Sequence, residues 1–125
     1  MREFMAITKA LSDPNRVRVL MALRQGELCA CQITELFGRS ASTMSKHLSI
    51  LNQAGLVRSR KEGRWIYYRL PTLAEVANAA RWAIDWTVKF VKKEKPVLKD
   101  EKLLKKILKM DASELCRRQC GGKKC

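Results

Sequence analysis

The pattern of hydrophobic and polar positions predicts a chain made mostly of amphipathic helices. In its first half, apolar residues recur at intervals of three and four, which is the spacing of one helix face. Ser12 or Asp13 suits the start of the second helix, Ser40 or Ser42 suits the start of the fourth, and a glycine follows each helix from the second onwards. The predicted helices cover residues 1–11, 14–24, 27–37 and 40–54.

An alternating pattern after Gly55 predicts a β-hairpin. Residues 57–61 and 65–70 alternate as strands do, and Glu62-Gly63 joins them. A helix, a glycine stop and a basic hairpin in this order are typical of a mainly α winged helix-turn-helix, whose second helix enters the DNA groove while the wing contacts the backbone. The predicted DNA contacts are Ser40, Ser42, Thr43, Ser45, Lys46, His47, Arg58, Arg60, Lys61 and Arg64, with Arg69 beside them.

The segment after the hairpin predicts a dimer interface and then an extension. Residues 72–91 have an apolar stripe wider than one small core needs, flanked by Trp82 and Trp86, so we expect a homodimer through this long helix and the helix over 1–11. A charged break at 92–96 divides the chain into a DNA-binding and dimerisation domain, 1–95, and a helical extension with a cysteine-rich basic tail, 96–125. The extension predicts one more helix, over 99–115.

Charge and cysteine content narrow the class of partner. The 125 residues carry a formal net charge of +14, which favours a polyanion such as double-stranded DNA. We expect a cytoplasmic protein with no membrane partner, because no apolar run is long enough to span a bilayer and no signal peptide is evident. Five cysteines in such a protein favour reduced thiols, and hence metal binding or redox chemistry, over a disulfide framework.

Four motifs together resemble the arsenical-resistance repressor (ArsR) family of metal-sensing winged-helix proteins. They are DPNRVRVLMAL, ELCAC, SASTMSKHLSILNQAGLV and RKEGRWIYYRL. The resemblance covers about the first three quarters of the chain. It implies a dimeric repressor that leaves its operator when an inducer binds, with half-sites about one helical turn apart. It also implies that Ser42, Thr43, Ser45, Lys46 and His47 lie on the recognition helix and that Cys29 and Cys31 are inducer ligands.

The chemistry of the two cysteines suggests how an inducer would act. Residues two apart on a helix point about 200° from each other, so Cys29 and Cys31 bind one ion only if their helical turn unwinds or shifts. A helix N-terminus lowers the pKa of a thiol, and thiolates prefer soft ions and arsenite. The position where arsenic-type sequences carry a third cysteine is Thr34. A trigonal site would therefore need a third sulfur from Cys116, Cys120 or Cys125, or the site is two-coordinate with water or another exogenous ligand. Cys116 and Cys120 would share one helix face, so the tail could instead form a second, independent thiolate site.

Arsenite or antimonite is the inducer that these residues favour. Cadmium, lead or mercury is the nearest alternative, since four thiolates can be assembled from five cysteines, and a thiol redox switch is another. The resemblance implies that a zinc, nickel or cobalt sensor would carry histidines and carboxylates on its last dimer helix, and His47, on the recognition helix, is the only histidine, so such a sensor is disfavoured. An enzyme is not expected, because the sequence has neither a glycine-rich phosphate loop nor a Cys–His pattern that suggests a nucleophile.

Overall fold

A computed structural model describes residues 1–119, and it is mainly helical with a small antiparallel sheet. A single turn of 3₁₀ helix, Leu23–Gln25, follows the second helix. The helices are α1 (Arg2–Ala10), α2 (Pro14–Ala22), α3 (Ala30–Phe37), α4 (Ala41–Gln53), α5 (Asn78–Val91), α6 (Lys95–Ile107) and α7 (Ala112–Gln119). The strands are β1 (Leu28–Cys29), β2 (Arg58–Glu62) and β3 (Trp65–Arg69), in the sheet order β1-β3-β2.

The starts of α2 and α4 follow the predicted capping. The Asp13 carboxylate accepts hydrogen bonds from the backbone N–H groups of Asn15 and Arg16, and Pro14 occupies the first turn. The Ser40 hydroxyl accepts from the backbone N–H of Thr43 at 3.2 Å. Between α3 and α4 the chain turns at Gly38, whose φ of 61° is the left-handed conformation that glycine adopts most readily. The helix-turn-helix is therefore confirmed.

One hydrophobic core joins the helix-turn-helix to the C-terminal helices. Its buried side chains come from all seven helices of residues 1–119, from β1 and from the segment before β2. Burial and close packing of these apolar side chains are the main source of stability for a domain of this size. They include Leu20, Ile33, Met44, Leu48, Leu51, Leu56, Leu104, Ile107 and Leu115.

The third predicted helix begins later than expected. Leu28 and Cys29 form β1, which pairs with Tyr68 and Tyr67 of β3, so the prediction that both cysteines lie on a helix is wrong for Cys29. The edge of β3 supplies hydrogen-bond partners for the backbone of Leu28 and Cys29. In the first turn of a helix, the backbone N–H groups of these residues would have no such partners, so the extended form is favoured. Cys29 instead occupies the N-cap position of α3, with extended φ and ψ of −80° and 158°.

Two further helix boundaries differ from the prediction. Helix α5 begins at Asn78 rather than at residue 72, because the Glu75 carboxylate accepts from the backbone N–H of Thr72 and pairs with Arg69, which holds the preceding segment in a turn. Leu73 of the predicted stripe is 75% exposed. The predicted helix over 99–115 is two helices, since α6 ends at Ile107 and the Asp111 carboxylate accepts from the Ser113 N–H at the start of α7.

The extension packs directly on the helix-turn-helix. Arg18 of α2 donates two hydrogen bonds, of 2.7 and 2.8 Å, to the buried Asp100 carboxylate of α6. Arg24 donates one of 2.7 Å to Glu101. A buried carboxylate held by a bidentate arginine fixes the orientation of α6 on α2. The division into 1–95 and 96–125 stays a prediction. Among residues 1–119, none of the helices is long and apolar enough to cross a bilayer.

Candidate nucleic-acid interface and thiol site

The outer face of α4 carries small polar side chains, as predicted for a recognition helix. Ser42, Ser45 and Lys46 are exposed, whereas Thr43 and His47 are half-buried. His47 Nδ1 lies 3.3 Å from an Arg16 guanidinium nitrogen, so this ring is held against α2. The exposed Ser45 hydroxyl and Lys46 ammonium suit contacts to base edges and phosphates, whereas the Ser42 hydroxyl lies 3.2 Å from that of Ser40.

Two features near the start of α4 add to the prediction. Ser40 is exposed, but its hydroxyl caps α4 and donates to Thr43 Oγ1 at 2.9 Å, so part of its hydrogen-bonding capacity is used inside the protein. Arg39, which the sequence analysis missed, is exposed immediately before this cap. A cation next to the N-terminus of a recognition helix lies where that helix meets phosphate, and this position was the signal that could have found it.

The side of the wing nearest α4 is marked by a hydrogen bond. Asn52 Nδ2 at the end of α4 donates to Ser59 Oγ of β2 at 3.0 Å. Because side chains alternate along a strand, Lys61 lies on the same side as Ser59. Gly63 and Arg64 form the two-residue hairpin loop, with a φ of 62° at Gly63, and Arg64 is exposed at the tip. Within residues 1–119, neither Lys61 nor Arg64 forms an ion pair, so both cations are available to a phosphate.

The opposite side of the wing has its arginines engaged by the protein. Arg60 donates to both oxygens of Glu27, at 2.7 and 2.9 Å, and to Glu62 at 2.8 Å. Its guanidinium also lies 4.3 Å from the centre of the Tyr67 ring. These two carboxylates raise the pKa of Arg60, and Arg60 lowers the pKa of Glu27. Arg58, on the same side, donates to the Glu75 carbonyl at 3.2 Å.

The two free thiols found among residues 1–119 lie where β1 meets α3. Cys29 is 2% exposed, and its backbone N–H donates to Gln32 Oε1 at 3.0 Å. Cys31 is half-buried in the first turn of α3. Burial, and then the nearby charge of Cys29 when ionised, raise the pKa of Cys31 to about 11. The expectation of a lowered pKa is therefore wrong for Cys31, because burial disfavours the charged form of this thiol.

The C-terminal cysteines are only partly described. Cys116 is half-buried on α7, which packs on α3, and it is disulfide-bonded, contrary to the expectation that all five thiols are reduced. Cys120 and Cys125 lie outside the described residues, so their predicted ligand roles stay predictions. Within residues 1–119, the structure contains no group of three or more His, Cys, Asp or Glu residues that could hold a metal ion.

Comparison with known proteins identifies the family. The sequence model of a protein family, described as bacterial regulatory protein, arsR family, matches residues 13–59, from the cap of α2 to a point within β2. The transcriptional repressor SdpR of Bacillus subtilis is 36% identical over 87 residues, which are 70% of this chain and 91% of SdpR. The chain belongs to the arsR family. It is thus a DNA-binding regulator and not an enzyme.

Other relatives of this chain are described as resistance regulators for different elements, arsenic in one case and cadmium in another. The arsenic resistance transcriptional regulator ArsR1 of Pseudomonas putida is 40% identical over 74 residues, 56% of this chain and 58% of ArsR1. The cadmium resistance regulatory protein CadC homolog of Staphylococcus aureus is 42% identical over 65 residues, 51% of this chain and 54% of that protein. The chain thus spans little more than half the length of either relative.

A solved structure extends the likeness to the fold. The homodimeric winged helix-turn-helix DNA-binding domain Mb0332 of Mycobacterium bovis superimposes with a TM-score of 0.60 at 30% identity. The superposition covers 73% of this chain and 81% of that one. The winged helix-turn-helix predicted from the sequence is confirmed by this likeness and by the order of α3, α4 and the hairpin.

Proposed function

We propose that this chain is a homodimeric transcriptional repressor that releases its operator when a thiol-binding inducer reacts with Cys29 and Cys31. The observation that carries the proposal is the position of these two free thiols, which lie at the junction of a wing strand and the first helix of the helix-turn-helix. A ligand that draws the two sulfurs together acts on both DNA-contacting elements at once.

The path from the thiols to the DNA has two branches. Cys29 pairs with Tyr67 of β3, so a displaced Cys29 moves the strand that supports the hairpin loop. Cys31 lies in the first turn of α3, which packs on α4 and connects to it through the turn at Gly38. A shift of this turn changes the angle at which α4 meets the major groove. Inducer binding and operator binding then favour two different arrangements of the same elements.

Trivalent arsenic or antimony is the inducer that fits the thiols best. Each As–S bond that forms replaces one As–OH bond, and the hydroxide leaves with the proton of that thiol as one water. The overall reaction therefore releases no net proton, and the raised pKa of Cys31 does not oppose it at equilibrium. Thr34 stands where a third sulfur would be expected and its side chain is buried. The third position on arsenic is therefore a hydroxide, another exogenous ligand, or a sulfur of Cys116, Cys120 or Cys125. The names of the relatives, one for arsenic and one for cadmium, support a soft inducer of this group.

Two alternatives keep the same repressor. Cadmium or lead, or mercury, would use the same two thiols with the tail sulfurs to complete a four-thiolate site. A redox switch is favoured by the disulfide at Cys116. It predicts release by an oxidant, reversal by a reductant and no dependence on metal or arsenite.

The dimer is proposed from an exposed apolar surface on α1 and α5. Trp82 is 76% exposed and Trp86 63% exposed, and α1 lies against α5. Exposed aromatic side chains clustered in this way mark a protein interface. The solved structure of similar fold is that of a homodimer, which supports a dimer for this chain. The other members of the surface are Met1, Phe4, Met5 and Phe90.

A charge placed in this surface tests the dimer. Trp86→Glu should give a monomer in analytical ultracentrifugation and lower operator affinity by roughly 100-fold, because the two half-sites are then bound independently. Leu103→Glu, at an exposed apolar position of α6 away from this surface, is the matched control and should stay dimeric. A dimeric Trp86→Glu protein would exclude α5 as the interface.

The proposed DNA contacts are those of the sequence analysis, with Arg39 added. On α4 and its cap they are Ser40, Ser42, Thr43, Ser45, Lys46 and His47. On the wing they are Arg58, Arg60, Lys61 and Arg64. The free cations on the α4 side support Lys61 and Arg64 most strongly, whereas Arg60 would have to exchange its carboxylate partners for phosphate.

Fluorescence anisotropy with a DNA site selected by the protein from a random library tests the whole proposal. Under reducing conditions, arsenite should release the wild-type protein, and Cys116→Ser should show whether this tail sulfur strengthens the response. The control is the same titration with magnesium, which thiols do not bind. Binding of DNA that neither arsenite nor cadmium reverses under reducing conditions would contradict a thiol-ligation sensor.

A further inference from the structure

Helix α7 contacts the proposed inducer site at the backbone of Cys31. Leu115 of α7 is 1% exposed and belongs to the core beside α3. From this anchored helix, Gln119 Nε2 donates to the backbone carbonyl of Cys31 at 2.8 Å and lies 3.5 Å from Glu35 Oε2. Arg118 donates to the other oxygen of Glu35 at 3.1 Å. One helix of the extension thus contacts the peptide of an inducer thiol.

The hydrogen bond from Gln119 to the Cys31 carbonyl should resist the backbone change that inducer binding requires. Cys29 is extended and Cys31 is in the first helical turn, so the two side chains belong to different backbone conformations. One ligand that joins both sulfurs requires the peptide planes between them to rotate. A carbonyl held at 2.8 Å from α7 resists that rotation, because the carbonyl must leave its donor before the turn can shift.

We propose that Gln119 is a positioning residue of the inducer site, which holds the first turn of α3 in its inducer-free form and so raises the inducer concentration needed for release. This inference rests on the proposed function, because it assigns a regulatory role at the same two thiols. The hydrogen bond opposes only the rearranged form. Its loss therefore lowers the inducer concentration at half-release while leaving inducer-free operator affinity unchanged.

Three variants at one position separate the hydrogen bond from packing. Gln119→Ala removes the side chain, and Gln119→Glu keeps its size but offers only acceptor oxygens to a carbonyl oxygen. Gln119→Lys keeps a donor and can still pair with Glu35. All four side chains at this position suit a helix, so differences in helix propensity are small. Variants without the donor should behave alike, and Gln119→Lys should resemble the wild type.

The first measurement is operator release by arsenite. Loss of one neutral hydrogen bond should lower the half-release concentration about fivefold in Gln119→Ala and Gln119→Glu, with operator affinity constant within about twofold. Arg118→Ala should have a smaller effect in the same direction, since its ion pair is exposed. Arg117→Ala is the matched control, because the ion pair that Arg117 forms among the described residues is within α7, with Glu114 at 3.6 Å. A half-release concentration that is unchanged or raised in Gln119→Ala would overturn the inference.

A second measurement needs no inducer and separates the two ideas. Iodoacetamide labelling of Cys31, located by peptide mass spectrometry under reducing conditions, reports how often the first turn of α3 opens. Faster labelling at Cys31 in Gln119→Ala than in Arg117→Ala supports the role of Gln119 even if no inducer releases the DNA, in which case only the proposed function fails. An equal labelling rate in the two variants would overturn the role of Gln119.

Discussion

The recognition surface and the thiol segment of this protein are built in opposite ways. On α4 and the adjacent side of the wing, Ser42, Ser45 and Lys46 are exposed and Arg64 stands at the hairpin tip. In the segment 27–31, by contrast, the Glu27 carboxylate and several backbone groups have partners within the protein, although the thiols of Cys29 and Cys31 are free. Glu27 holds Arg60, Cys29 pairs with β3 and bonds to Gln32, and the Cys31 carbonyl accepts from Gln119.

This difference predicts how mutations in each region affect operator affinity and the response to inducer. Side chains without internal partners act one at a time, so removing one changes operator affinity and little else. Groups that share partners act as a network, and a change at one member alters the balance between two arrangements. We therefore expect changes in the recognition surface to affect affinity and salt dependence, and changes in the thiol segment to affect the response to inducer.

Serine in place of either thiol should separate the two regions most strongly. A typical coupling between sites changes affinity about 5- to 150-fold, and Cys29→Ser or Cys31→Ser should lose all of this change when arsenite is titrated against bound operator. Inducer-free affinity should stay as in the wild type, because neither residue is exposed on the recognition surface. If a serine variant also loses operator binding, the thiol segment would be part of the DNA-binding machinery and the comparison would fail.

The pH dependence of release should tell arsenite from cadmium. The pKa of Cys31 is about 11, so this thiol is protonated near neutral pH, and cadmium must displace its proton. Each proton displaced should lower the half-release concentration of cadmium about tenfold per pH unit as the pH rises from about 6 to 8. Arsenous acid keeps the proton balance by forming water, so its half-release concentration should stay constant.

Cys31→Ser supplies the control for this pH series. It removes one titrating thiol, so any residual cadmium response should depend on pH less steeply by about one proton. An arsenite response that follows pH as steeply as the cadmium response would mean that Cys31 reacts as a thiolate, against the effect of its burial.

The parts of the fold that were predictable are those that depend on local pattern and capping. Asp13, Ser40 and Gly38 mark helix ends by chemistry that acts within a few residues, and α2 and α4 lie where these residues predict. The hairpin follows from the alternation on either side of Gly63 in the same way. The positions of the recognition helix and the wing could therefore be anticipated, while the DNA contacts on them stay a prediction.

The thiol segment could not be predicted to the same extent, because its conformation depends on contacts distant in sequence. Leu28 and Cys29 are extended because β3, nearly forty residues later, supplies their backbone partners. The carbonyl of Cys31 finds its donor in Gln119, 88 residues away. Periodicity contains no information on such pairings, so the sequence predicted a helix where β1 lies. For the same reason it predicted a lowered pKa for Cys31, whereas burial raises that pKa.

Removal of a free wing cation should have a moderate effect. Arg64→Ala and Lys61→Ala should each weaken binding to all DNA sequences and reduce the slope of log affinity against log salt by about one unit per subunit, roughly two for a dimer. The measurement is anisotropy with specific and random DNA from about 50 to 200 mM salt. Leaving the slope unaltered in both variants would remove the wing from the DNA interface.

Arg60→Ala should have the smallest effect on DNA, although Arg60 adjoins Lys61 in sequence. Two carboxylates already neutralise its guanidinium, so it releases few counterions, and the salt slope should match that of the wild type. The change instead removes the hydrogen bonds between Arg60 of the wing and Glu27, next to the thiol segment, and should therefore alter the response to inducer. A slope reduced as much as in Lys61→Ala would mean that Arg60 exchanges Glu27 and Glu62 for phosphate on DNA, and both sides of the wing would then belong to the recognition surface.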